Sequence, residues 1–142
     1  MALNVVLVTP QIPQNTGNIA RLCAVTNANL HLIEPLGFVI TDKHLKRAGL
    51  DYWEHINVIK HKSLEYFLEN HDTSRMFFLS SKVKKSYWST EFKDGDYLVF
   101  GSETTGIPIE VREKYFDNFL TIPQFNEETR CLNLSNSVGI VL

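Results

Sequence analysis

The run Leu3-Asn4-Val5-Val6-Leu7-Val8, then Thr9-Pro10-Gln11-Ile12-Pro13-Gln14-Asn15-Thr16, then Gly17-Asn18-Ile19-Ala20-Arg21-Leu22-Cys23, decides the fold class. A short, nearly all-apolar run rich in valine and leucine is how a strand buried on both faces reads. The polar, proline-stiffened stretch after it is a connection, and apolar residues at helical spacing follow. Outward from this unit the alternation repeats. Strands are expected over 3–8, 30–34, 56–60, 76–80, 97–101 and 119–122, and helices over 17–28, 43–48, 63–71, 109–115 and from 134 to the end. The class is α/β, a mostly parallel sheet flanked by helices.

Composition narrows the setting. At 142 residues, with 44% hydrophobic and 21% charged residues, the chain makes one domain with a proper core, and its balance excludes disorder. No apolar run approaches the roughly 18 residues of a membrane-spanning helix. The net charge of −2 gives no global basic field, so any nucleic-acid binding must use local patches. The first residues enter a strand without a basic or apolar leader, which suggests a cytoplasmic protein. Cys23 and Cys131, the two cysteines, lack metal-ligand spacing and are expected as reduced thiols. From Leu134 the chain begins an amphipathic helix and stops at Leu142, so the single domain over 1–142 reads as cut within its last helix.

Loops follow several strands at their carboxyl ends, where open α/β sheets bind ligands. In the first, Pro10 and Pro13 stiffen the turn, Asn15 or Thr16 is placed to cap the helix, and Gly17 permits close backbone approach. Arg21 falls one turn in; on spacing alone, a solvated arginine on an ordinary helix fits equally well. The second loop, Gly101-Ser102-Glu103-Thr104-Thr105-Gly106-Ile107-Pro108, can wrap a ribose or sulfur chain with backbone groups, with Glu103 at the rim. The alternative is a tight turn whose Glu103 favours the positive end of the following helix. In the third, Asn133, Ser135 and Asn136 can cap a helix and also point polar groups into a pocket.

Familiar nucleotide signatures are missing. There is no G-x-G-x-x-G after the first strand, although Glu34 superficially resembles a ribose-binding acid, and no G-x-x-x-x-G-K-[ST]. The histidines at 31, 44, 55, 61 and 71 form no ligand motif, and no metal is expected. Lys43, Lys46 and Arg47 share a helical face, and Lys60, Lys62, Lys82, Lys84 and Lys85 form further basic groups. With Tyr52, Trp53, Tyr87 and Trp88 near them, these suit phosphate contact plus base stacking on looped RNA. Solvated faces with half-buried aromatics are the plainer alternative.

Five ordered blocks together resemble the SPOUT (SpoU–TrmD) methyltransferases, and within them the small TrmL-type tRNA (cytidine/uridine-2'-O)-methyltransferases. The blocks are residues 12–23, 33–38 (Ile33-Glu34-Pro35-Leu36-Gly37-Phe38), 47–53 (Arg47-Ala48-Gly49-Leu50-Asp51-Tyr52-Trp53), 101–108 and 132–136. The resemblance implies a carboxyl-terminal trefoil knot, an obligate homodimer, and S-adenosyl-L-methionine bent into the knot's loops. It carries cofactor contacts to Leu79, Gly101, Ile122 and Cys131, with Gly106 and Leu132 beside them. Position 131 departs from the family's serine; a backbone contact survives that change, and a hydroxyl contact weakens. It gives Arg21 a catalytic role, with Asn15, Asn18 and Glu103 lining the same site, and it implies a tyrosine shortly after position 142. Substrate RNA is expected on Lys43, Lys46 and Arg47, and the implied target is the first anticodon nucleotide of tRNA.

A sulfonium is already a potent methyl donor, so the protein need only align a ribose 2'-hydroxyl and manage its proton, without a metal. A guanidinium is a poor base, which favours Arg21 gripping a phosphate and stabilising developing alkoxide charge, with Glu103 as the competing base. Two further readings are a 2'-O-methyltransferase acting elsewhere on tRNA or on rRNA, and a non-catalytic RNA-binding dimer of the same fold.

Overall fold

A computed structural model describes residues 2–39, 57–123 and 133–142. Its elements run β1 (Asn4–Val8), α1 (Pro13–Thr26), β2 (Asn29–Ile33), β3 (Val58–His61), α2 (Leu64–Glu69), β4 (Met76–Leu79), β5 (Tyr97–Phe100), α3 (Ile109–Lys114), β6 (Phe119–Leu120) and α4 (Leu134–Val141). The described strands form one sheet in the order β3-β2-β1-β5-β4-β6, every pair parallel. The expected helix over 43–48, and with it Lys43, Lys46 and Arg47, lies outside the described residues, as do Tyr52 and Trp53. So do Cys131 and Leu132, and residues 124–132 on which the knot expectation depends.

Because side chains alternate along a strand, each strand feeds two cores. Val5, Leu7, Leu30, Leu32, Leu98 and Phe100 pack under Ile19, Ala20 and Cys23 of α1 and Val138 and Val141 of α4. Val6, Val8, Ile33, Phe78 and Val99 face the opposite layer, where Phe67 of α2 and Val111 and Tyr115 near α3 cover them. Burial pushes the Cys23 thiol up to about 12, which leaves it an inert core residue. Among the described residues no helix is long and apolar enough to cross a membrane.

Two departures from the sequence reading matter. First, α1 begins at Pro13, four residues before the expected Gly17, so Asn15 and Thr16 are inside the helix and neither caps it; Ile12 is the N-cap and makes no side-chain bond. Proline suits the first helical position because its fixed φ is already helical and no N–H is needed there. The capping work is done from far along the chain, as described below. Second, β6 stops at Leu120 instead of Ile122. Thr121 leaves the ladder with β4 to pair with the segment after that strand, its N–H donating to Lys85 O at 2.8 Å while Tyr87 N–H donates to Thr121 O at 2.9 Å.

Candidate active site

Where β1 and β5 lie side by side, the chain leaves them in opposite directions: β1 leads through α1 to β2 on one side, and β5 leads through α3 to β6 beyond β4 on the other. Such a switch of direction opens a crevice at the strands' carboxyl ends. The loop after β5 forms one wall of it. Gly106 adopts φ +66, and its N–H donates to Ser102 O at 3.1 Å, closing a tight turn. Inside the turn Ser102 Oγ accepts from Thr105 N–H at 3.0 Å and lies 2.7 Å from Thr105 Oγ1. Gly101 is required for a different reason: a Cβ there would stand 2.3 Å from the Gly106 carbonyl carbon and 2.4 Å from Ile107 N.

Glu103 leaves this turn and reaches the start of α1. Its Oε1 accepts from Gln11 N–H at 3.0 Å, and its Oε2 accepts from Ile12 N–H at 2.8 Å and from Asn15 Nδ2 at 3.3 Å. The carboxylate thus sits at the positive end of a helix, but that helix is α1 and not the one following Glu103, which corrects the local reading. Asn15 Oδ1 in turn accepts from Asn133 Nδ2 at 3.2 Å, and Asn133 caps α4 by accepting from Ser135 N–H at 2.9 Å. One chain of hydrogen bonds therefore joins the β5 loop, α1 and α4.

These segments enclose a cavity of about 740 Å³, lined among others by Asn15, Leu79, Gly101, Glu103, Gly106 and Ile122. Asn18 and Arg21 do not line it. They lie on a second, shallower depression of about 610 Å³ between α1 and α4, with Leu22, Val25, Asn136 and Ile140. α4 turns one face to each: Asn133, Leu134 and Ser137 to the cavity, Ser135, Asn136, Gly139 and Ile140 to the groove. Glu34, the superficial ribose acid, lines neither. Sequence reasoning did not single out Ser80, Ser81 or Thr105 as cavity residues. Their position at a strand end or in a glycine turn was the available signal.

The chain matches the SpoU rRNA Methylase family over residues 2–142. It is 47% identical over 140 residues to the tRNA (cytidine(34)-2'-O)-methyltransferase of Saccharophagus degradans, covering 98% of this chain and 90% of that protein. It is 45% identical over 141 residues to the Escherichia coli K12 protein of the same name, covering 99% and 89%. A solved structure described as giving structural insights into the 2-OH methylation of C/U34 on tRNA superposes with a TM-score of 0.92 at 43% identity, covering 99% of this chain and 91% of that one.

Proposed function

Since the chain belongs to the SpoU rRNA Methylase family, we propose that it transfers the methyl group of S-adenosyl-L-methionine to the ribose 2'-hydroxyl of nucleotide 34, a cytidine or modified uridine, in tRNA. The supporting observation is the convergence of the loops after β1 and β5, nearly ninety residues apart, on one cavity at the sheet's switch point.

The residues present fit the cofactor. The cavity's volume of about 740 Å³ falls inside the roughly 300–1,000 Å³ of small-molecule sites. Its lining mixes apolar side chains for an adenine ring with backbone groups and hydroxyls for the ribose and amino-acid ends. Leu79, Gly101, Gly106 and Ile122 would hold it, and Cys131 and Leu132 remain in that role on the resemblance. When bound, the cofactor supplies an electrophilic methyl on a sulfonium, which the 2'-oxygen takes as the carbon–sulfur bond breaks.

The chain's own groups then divide the work. Glu103 has both carboxylate oxygens engaged by N–H donors, so accepting a substrate proton would break the bonds that hold the start of α1. We assign it, with Asn15, to positioning rather than to proton abstraction. Arg21 and Asn18 take the RNA backbone beside the target ribose; the fixed positive charge of Arg21 stabilises alkoxide character as it develops, and the proton leaves late to phosphate or water. Lys43, Lys46 and Arg47 remain RNA contacts on their charge in the sequence alone. A homodimer would set two cationic surfaces together in a chain of net charge −2. The setting is the cytoplasm.

The test is methylation of tRNA transcripts by the purified protein, followed by nuclease digestion and mass spectrometry. One 2'-O-methyl group at nucleotide 34 is expected. Methylation elsewhere in tRNA or in rRNA overturns the substrate assignment, and RNA binding with neither cofactor binding nor transfer identifies a non-catalytic RNA-binding dimer.

A further inference from the structure

Residues 81–90 form a strap between β4 and β5. Between Ser81 and Thr90 the sequence carries Lys82, Lys84 and Lys85 and no acidic residue. All three lysines are exposed, and among the described residues none of them is in an ion pair, as Arg75 is with Asp96. Val83 is buried in the core under α2 and α3, Tyr87 packs half-buried against the opposite core under α1 and α4, and Trp88 stands 68% exposed. An indole left in water is unusual for so large an apolar side chain.

The strap is held, not loose. Its 3-10 turn at Tyr87–Ser89 is capped by Ser86, whose Oγ accepts from Trp88 N–H at 3.2 Å and whose carbonyl accepts from Ser89 Oγ at 2.7 Å. The Lys85–Thr121 and Tyr87–Thr121 backbone bonds fasten it to the end of β6. The strap also abuts the cavity: Lys82 lines it, and so does Ile122, the neighbour of Thr121.

We propose that this strap is a docking surface for an unpaired RNA loop, in which Lys82, Lys84 and Lys85 contact phosphates and Trp88 stacks on a nucleobase next to the nucleotide entering the cavity. The inference rests on the methyltransferase reading for its location and on charge and exposure for its partner. A polyanion whose bases are splayed out matches three exposed lysines beside a fixed aromatic plane, whereas a duplex offers no unstacked base to the indole. Trp88 is a positioning residue for the substrate and touches neither the cofactor nor the reacting atoms.

Direct binding of unmodified tRNA separates this inference from the activity. Trp88→Ala weakens tRNA binding about tenfold, Trp88→Phe keeps most of it, and affinity for S-adenosylmethionine is the same in both. The tRNA-induced quenching of indole fluorescence falls in Trp88→Ala, and a blunt RNA duplex quenches little in the wild type. Lys84→Ala/Lys85→Ala together lower the slope of log affinity against log salt by about 1.4, at about 0.7 for each phosphate contact to a single strand. Unchanged affinity in Trp88→Ala overturns the proposal. So does a changed oligomeric state of that variant in light scattering, which would give the indole to a protein interface. If nucleotide 34 is not methylated while quenching and its loss persist, the strap stands and the substrate assignment falls; normal methylation with unaltered binding in the variants does the reverse.

Discussion

Two of the hydrogen-bonded side-chain networks among the described residues differ in what they border. Glu103, Asn15 and Asn133 tie the β5 loop to α1 and α4 and border the cavity. Asn4, Asn29, His31 and His61 tie β1, β2 and β3 together and border neither the cavity nor the groove. In the second network the roles are determined. Asn4 Nδ2 donates to Gly95 O, so its Oδ1 accepts from both Asn29 Nδ2 and His31 Nε2–H, which leaves His31 Nδ1 to accept from His61 Nε2–H at 2.9 Å. The His31 imidazole, with one ring nitrogen donating and the other accepting, is thereby neutral. Burial, with His61 and His71 next to it, pushes His31 down to about 4. A conspicuous group of histidines is thus a closed structural device, while a glutamate and two asparagines of ordinary appearance frame the cavity. Whether a polar network borders open space separates the two better than residue type does.

The comparison can be broken at either network or at the groove beside them. Arg21→Ala has the largest expected effect: methyl transfer falls by about 10²–10³-fold, the range for removing one group that stabilises developing charge, with thermal stability nearly unaltered. Equal loss of activity and stability would make Arg21 structural. Next is the pH dependence of folding. The folded pKa of His31 lies below the ordinary 6.5, so as pH falls the unfolded chain takes the proton first. Its stabilising contribution is complete above about 6.5 and decays toward about 4, a loss of about 3 kcal/mol in urea unfolding between pH 7 and pH 4. His31→Gln removes that part of the slope; an identical slope in the variant would contradict the network described. The smallest effect is at Glu103. Glu103→Ala leaves two N–H groups at the start of α1 without their acceptor and costs about 2 kcal/mol, while Glu103→Gln, keeping one oxygen, recovers about half in both stability and turnover. If the glutamine variant is as inactive as alanine yet as stable as the wild type, Glu103 is the base and not a positioning residue.

Much of this was legible from short-range pattern because buried parallel strands are contiguous apolar runs: the six described strands lie within about two residues of the expected places. The glycine turn was legible for a related reason, since Gly101 and Gly106 leave their mark as residue types. The start of α1 was not. Asn15 and Thr16 have the composition of caps, but Glu103 caps the helix from more than ninety residues away, and no local rule contains that contact. The division between cavity and groove was hidden likewise. Asn15 and Arg21 share a helix, but which way each points depends on where α4 packs, and α4 comes at the other end of the chain.

The proposed function gives cofactor and RNA to different surfaces, the cavity under the glycine turn and the face of α1 that carries Arg21. Calorimetric titration of S-adenosylmethionine into wild type, Gly101→Val and Arg21→Ala tests it most directly. The valine's branched side chain collides with backbone at Gly106 and Ile107, so that variant loses binding at least tenfold while Arg21→Ala binds as the wild type does. Undiminished binding in Gly101→Val, or a loss in Arg21→Ala of the same size, would contradict the account.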